Sequence, residues 1–415
     1  MTPTFGLEHF GTQFGPASDM ERWMLNSVET RLLLLAGRPE APKDLDGLVE
    51  AAIDAGIDWR RFVGLARSHR LTPNVGRNLY RSQSVPDDVR PAFERMVAFT
   101  TQRGLVSAGA LRRIIASLGD SGIPSLPMKG PALSAWLYAD WTRRVFADLD
   151  VLVDKEDIGR AMAVMESIGF GPFGTMHQLT PEEAAVADRE FYLHDAACWH
   201  PELRVKLELH WSALSDPTYR TVGREMQRLV HVDPVERDHG IMAAHVLIHG
   251  AHHGYRRLLW LLDAAVLGSV LDDRGWHRAI DMTVADYVVN TVLLGPYLGH
   301  RLFGLPVSPI AAPLIEERLS SLRTMAELTQ MKTPDSAGGI EQPGALRLQG
   351  LLRDRRRDRV VYLVNKLTRP SLPDMNANTL RPGWRGRMSR LRVQVPRWTR
   401  FIRTRVIPRW ATKGD

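Results

Sequence analysis

A chain of 415 residues, 44% of them hydrophobic, can bury a large core and is expected to divide into two or three domains. Its one cysteine, Cys198, excludes an intramolecular disulfide and points to a reducing compartment. The net charge of +7 is unevenly spread: residues 351–415 hold 18 Lys and Arg against 4 Asp and Glu, a net of +14, which leaves the remainder at −7. The basic balance belongs to the tail and says little about the body.

No basic stretch followed by an apolar segment opens the chain, so no secretory signal is expected. The most apolar run, Leu258 to Leu271, is interrupted by Asp263 and is too short to span a bilayer. A cytoplasmic protein is expected. Residues 1–20 are polar, punctuated by Gly and Pro and without periodicity, which predicts a loose N-terminus. Residues 21–118 carry helical apolar spacing (Trp23-Met24, Val28, Leu32; Leu48-Ala52; Phe62-Ala66; Val97 to Leu118), with joints near Gly37–Pro42, Gly56, Pro73 and Pro86. That pattern predicts a helical domain.

The informative stretch lies in a third region, residues 119–235. An apolar run from Ile123 to Met128 reads as a strand, and Lys129-Gly130 as a turn in which glycine lets the backbone approach a phosphate. Pro131 suits the first position of a helix over Ala132 to Tyr138, whose N-terminal N–H groups can face an anion. Then Arg143 to Val153 alternates as a half-buried strand: Asp148 and Asp150 share one face, while Leu149, Val151 and Val153 point to the core. Residues two apart on a strand are roughly 6.5–7 Å apart. Two carboxylates so placed can share a hard divalent cation or hold two adjacent ones; a solvated strand edge is the plain alternative.

A helix over Lys155 to Ile168 is closed by Gly169, and Phe191 to Leu193 reads as a strand. Val205 to Trp211 alternates again, with Lys206, Glu208 and His210 on one face. Residues 236–330 form a second helical domain. Its first helix carries His245, His249 and His252/His253 on one stripe, followed by Arg256, Arg257 and Trp260. The stripe has no His-Glu-x-x-His pattern and no nearby cysteine, which argues against zinc; it either lines a substrate pocket, with His210 and His249 as its candidates, or packs beneath the sheet. Asp263, in an apolar run, needs a partner, and Arg257 or a histidine is within helical reach. Further joints are expected at Gly295-Pro296 and from Pro306 to Pro313. Residues 331–415 divide into a linker (Lys332 to Gly344), a basic helix (Ala345 to Thr368), an extended stretch (Pro370 to Pro382) and a tail, 385–415, that alternates Arg with Trp and aliphatic residues. Such a tail lies on an anionic membrane surface, grips nucleic acid, or packs as an amphipathic helix with a solvated arginine face; no nucleic-acid motif supports the second.

Strand, glycine turn, helix and a strand bearing Asp-x-Asp resemble the core unit of the polymerase-beta-type nucleotidyltransferase superfamily. Lys129-Gly130, Arg144, Asp148 to Val153, Glu208-Leu209-His210-Trp211 and the helix ending Trp260-Leu261-Leu262-Asp263 resemble, more narrowly, a bacterial family of uncharacterised nucleotidyltransferases, over roughly residues 25 to 375. Asp58-Trp59 and Ala66 to Arg70 resemble its helical leader, in which His69 and Arg70 read as surface or cap residues.

The resemblance implies an α+β fold, a mixed nucleotidyltransferase sheet with flanking helices, set between helical regions. It implies Mg2+, or Mn2+, held by Asp148, Asp150 and Glu208 as metal and catalytic residues, with Lys129, Gly130 and Arg144 facing the triphosphate. The implied reaction moves a nucleoside monophosphate from an NTP to a hydroxyl of an unknown acceptor, and the family's occurrence near biosynthetic genes suggests peptide natural products or polysaccharides. The superfamily's usual Gly-Ser is Gly130-Pro131 here, so no serine hydroxyl is present at that place. The alternative reading is therefore a catalytically idle nucleotide-binding or interaction protein anchored by its basic tail. Oligomeric state is not legible.

Overall fold

The computed structural model describes residues 6–173, 194–214, 216–329 and 345–368. Its organising element is a five-stranded sheet: β1 (Leu126–Pro127), β2 (Leu149–Leu152), β3 (Gly171–Pro172), β4 (Asp195–His200) and β5 (Val205–His210), in the order β1-β2-β5-β4-β3. β2 and β5 run parallel at its centre, and the other neighbours are antiparallel, so the sheet is mixed. The β2–β5 register sets Asp150 opposite Glu208. β1 is shorter than the apolar run from Ile123 predicts. Pro124 and Pro127 cannot donate to a ladder, and proline is tolerated at an edge.

Helices α1 (Asp19–Asn26), α2 (Val28–Ala36), α3 (Leu45–Asp54), α4 (Trp59–Ser68), α5 (Thr72–Arg81) and α6 (Arg90–Asp120) precede the sheet. α7 (Gly130–Tyr138) lies between β1 and β2, and α8 (Ile158–Ser167) between β2 and β3. After β5 come α9 (Arg220–Leu229), α10 (His239–His252), α11 (Leu258–Val270), α12 (Asp273–Ala285), α13 (Val289–Phe303), α14 (Ala312–Glu317), α15 (Leu319–Ala326), α16 (Ala345–Leu351) and α17 (Arg356–Thr368).

Strand alternation divides the sheet into two unlike faces. Leu149, Val151, Val153, Val205, Leu207 and Leu209 pack under the C-terminal half of α6 (Leu111, Ile114, Leu118) and α8 (Ala161, Met165), a closed apolar core that also buries Cys198. The opposite face carries the charged side chains and joins a larger core built from the helical regions. α6 contributes to both, through Phe93 and Met96 at one end and Leu111 to Leu118 at the other.

Three local expectations change. Residues 6–20 are not loose: Phe10 and Phe14 are buried, and a capping box between Ser18 and Glu21 starts α1. Glu21 then bonds Arg301 at 2.9 Å and Tyr297 Oη at 3.1 Å on α13. Two phenylalanines and one acid dock a stretch whose average composition is polar. α13 also runs straight through Gly295-Pro296, where a joint was expected. Every residue of that helix except His300 is buried, and a side chain at Gly295 would collide with Tyr255 Oη, so tertiary packing outweighs the lost N–H of Pro296. The basic helix after residue 345 is two helices, broken where Arg353 is wholly buried and paired with Asp216. The expected strand at Phe191 to Leu193, the linker and the residues after 368 lie outside the described residues.

Candidate active site

Between β1 and α7 the chain turns through Lys129 and Gly130. Met128 N donates to Asp150 O at 3.0 Å, closing β1 onto β2. Gly130 then takes φ +63, a conformation that costs a side-chain-bearing residue about 1–2 kcal/mol, and α7 begins with Pro131 in its first turn. This turn aims Lys129 back at the strand, with its Nζ 2.8 Å from Asp150 Oδ1.

Asp150 is nearly inaccessible, at 5% exposure. His210 Nε2, from β5, reaches the same oxygen at 3.2 Å and Glu208 Oε2 at 3.6 Å, while Lys206 pairs with the other Glu208 oxygen. One ligand atom each from Asp150, Glu208 and His210 lie within 4.8 Å of one another. Burial alone would raise the Asp150 carboxyl, but Lys129 and His210 hold it well below the usual carboxylate range. Glu208 is lowered to about 2, chiefly by His210. Burial opposes the charge on His210, yet Asp150 and Glu208 raise it to about 9. Asp148 stands outside this bonded group and is pushed upward, first by burial and then by Asp150 and Glu208. Two strands thus deliver carboxylates to one place beside a glycine turn. A family model described as an uncharacterised nucleotidyltransferase matches residues 55–304, well over half of the chain.

The chain belongs to that family. The match takes in the whole sheet and the helices from α4 to α13, and the mixed sheet with flanking helices is the α+β fold such an enzyme requires. No curated protein and no solved structure matches the chain. Among the described residues, no helix is long and apolar enough to cross a membrane.

Around the carboxylates of this nucleotidyltransferase, the other expected residues are sorted by the fold. Arg144 was expected to face a triphosphate, but it is 7% exposed and donates from Nε to Asp263 Oδ2 at 2.9 Å. Tyr138 donates to the other Asp263 oxygen at 2.8 Å. Asp263 does take a cation, but from the loop before β2 rather than from Arg257 or a histidine on its own stretch. Helical reach was the wrong guide because Arg144 arrives from 119 residues away.

α10 brings the histidine stripe against the charged face. His245 is 2% exposed and neither ring nitrogen has a hydrogen-bond partner; burial, with Lys129 close by, lowers it to about 3. His249 is lowered well below its usual value, again first by burial and then by Lys129. His249 meets His253 edge-on at 4.6 Å, and His253 stacks on Trp260 at 5.0 Å. His245, His249 and His253 thus form a wall of neutral rings, the first two close to Lys129 and Asp150.

Two arginines that sequence reasoning did not place near the carboxylates lie close to Asp148. Arg70, after α4, and Arg257, before α11, are half-buried and lie within Coulombic reach of Asp148 and of each other. No short-range pattern signals them, because they come from opposite ends of the matched region. His69 is what joins those ends. It is 1% exposed, its Nδ1 accepts from Leu258 N at 3.2 Å, and its carbonyl accepts from Leu259 N at 3.2 Å. It is a cap, as expected, but for a helix that begins 189 residues later.

Proposed function

We propose that this nucleotidyltransferase moves a nucleoside monophosphate from an NTP to a hydroxyl of an acceptor, using Mg2+ or Mn2+ held by Asp148, Asp150 and Glu208. The reading is carried by one observation: the parallel β2–β5 register sets Asp150 against Glu208 beside the Lys129-Gly130 turn. The donor set fits a divalent cation. Carboxylate oxygens suit Mg2+ and Mn2+, and Lys129 and His210 supply positive charge beside the buried Asp150. A bound ion would supply charge neutralisation for the polyphosphate and a more acidic acceptor hydroxyl. Lys129 and the open backbone at Gly130 bind and orient the phosphates, and the ring wall of His245 and His249 excludes water from the reacting groups. His210 spans Asp150 and Glu208 and fixes their separation.

The test is titration of the protein with each of the four NTPs, with and without Mg2+, for wild type and for Asp148→Asn combined with Asp150→Asn. Magnesium-dependent binding should disappear in the double variant while its circular dichroism and unfolding remain cooperative. Unchanged binding refutes the assignment.

The second reading, an idle nucleotide binder, is favoured by Pro131 in place of a serine and by the ion pairs that already neutralise Asp150. Labelled NTPs incubated with cell extract separate the two: incorporated label requires a transferase, and tight binding without turnover requires a binder. In either case the arginine-rich tail, 385–415, would serve as attachment to an anionic membrane surface, with the body held at the periphery.

A further inference from the structure

Arg70 and Arg257 occupy positions that helix chemistry would give to other residues. α4 ends in a Schellman motif: Arg70 N donates to Arg67 O at 3.1 Å and Leu71 N to Ala66 O at 2.9 Å. Residue 70 is the left-handed position of that motif, where glycine is the stable choice, yet it is an arginine at φ +59. Arg257 is the N-cap of α11, a place favouring Ser, Thr, Asp or Asn, and it makes no side-chain cap. Both arginines therefore give up local stability. Strained or suboptimal residues of this kind concentrate where a site needs their side chains.

The fold also forces the two together. The bonds from Leu258 and Leu259 to His69 tie the end of α4 to the start of α11, so Arg70 and Arg257 flank one contact. The Arg257 guanidinium lies over the Trp260 ring at 5.4 Å, which holds the plane in place. Two half-buried cations side by side repel: burial first, and Arg257 second, bring the Arg70 guanidinium down to about 10. No carboxylate of the described residues lies within ion-pair distance of either arginine. Asp148 is felt by both, but its own balance is set first by burial and then by Asp150, Glu208, Lys129 and Lys206. Such a pair lacks an anion.

We propose that Arg70 and Arg257 form a two-guanidinium clamp for the polyphosphate of the nucleotide, beside Asp148. The clamp deepens the nucleotidyltransferase reading and rests on it for the identity of the ligand. It supplies the contacts that Arg144, locked on Asp263, and Pro131, lacking a hydroxyl, do not provide. A planar guanidinium gives paired N–H donors to phosphate oxygens, and two of them near one another match a chain of phosphates better than a single lysine can.

The experiment uses Arg70→Gly and Arg257→Asn, which restore the residues each position prefers. Affinity for inorganic tripolyphosphate and for the four NTPs is titrated beside the thermal unfolding midpoint, with the exposed Arg256→Gln as control. Each clamp variant should unfold at or above the wild-type temperature and bind tripolyphosphate and NTP roughly ten- to a hundredfold more weakly, while Arg256→Gln binds as wild type. Wild-type affinity in both clamp variants, with magnesium-dependent NTP binding intact, overturns the clamp and leaves the carboxylate reading standing. Tripolyphosphate binding that is lost in the clamp variants and kept in the Asp148→Asn, Asp150→Asn protein supports the clamp independently of the metal. A wild type that binds neither tripolyphosphate nor any NTP overturns both.

Discussion

Asp150 and Asp263 are buried alike, at 5% and 0% exposure, and each has two side-chain partners, one of them a Lys or Arg. Their settings differ. Arg144 and Tyr138 fix Asp263 where α11 crosses the loop before β2, with no second acid in the group. Lys129 and His210 hold Asp150 against Glu208 and Asp148, beside a histidine whose ring nitrogens are unpartnered. Burial of a carboxylate is thus no sign of function by itself. Crowding of acids whose partners are themselves shared is the informative feature.

The comparison breaks if the two aspartates respond alike to substitution. Asp263→Ala leaves Arg144 buried without its partner and should cost about 3–5 kcal/mol, read as a large fall in the urea midpoint. Asp150→Asn keeps the side chain's volume and a hydrogen-bonding oxygen, and His210 retains Glu208, so it should cost less stability than Asp263→Ala while lowering nucleotide transfer at least about a hundredfold. Equal losses of stability would erase the distinction. Glu21, 1% exposed and bonded to Arg301, belongs with Asp263. Glu21→Ala should therefore cost about 3 kcal/mol while NTP affinity in calorimetric titration stays unchanged.

A pH series sharpens the contrast around Asp150. His245 and His253 are lowered from 6.5 to about 3, in each case first by burial, so the folded protein keeps them neutral where the unfolded chain is protonated. The unfolded state binds more protons between those values. The contribution of these two rings should therefore be full above about pH 6.5 and fall as the pH drops, by up to about 1.4 kcal/mol per pH unit for each ring. Unfolding temperatures between pH 7 and 5 check this, and His253→Phe, which keeps a ring on Trp260, should flatten the slope. The smallest effect is expected at Lys206, 29% exposed: Lys206→Ala should cost under about 1 kcal/mol by urea denaturation.

The parts of the site that lie on strands were legible because a period of two is short. Asp150, Glu208 and His210 declare their faces within a few residues, Asp148 lies just before β2 rather than on it, and Lys129-Gly130 declares its turn chemically. What was hidden depends on distant chain segments meeting. The pairing of Arg144 with Asp263 was hidden because the two lie 119 residues apart, and the approach of Arg70 to Arg257 because it runs through the contact of His69 with α11. Gly295-Pro296 misled because local breakers yield to a helix packed on nearly every side. The docked N-terminal stretch was missed because two phenylalanines among polar residues have no period.

α6 runs 31 residues, about 46 Å at the usual rise, with one end in the helical core and the other beneath the sheet. A strut shared by two cores makes each a condition for the other's integrity. Lengthening or shortening α6 by whole turns would shift one core against the other while leaving the helix's own hydrogen bonds intact.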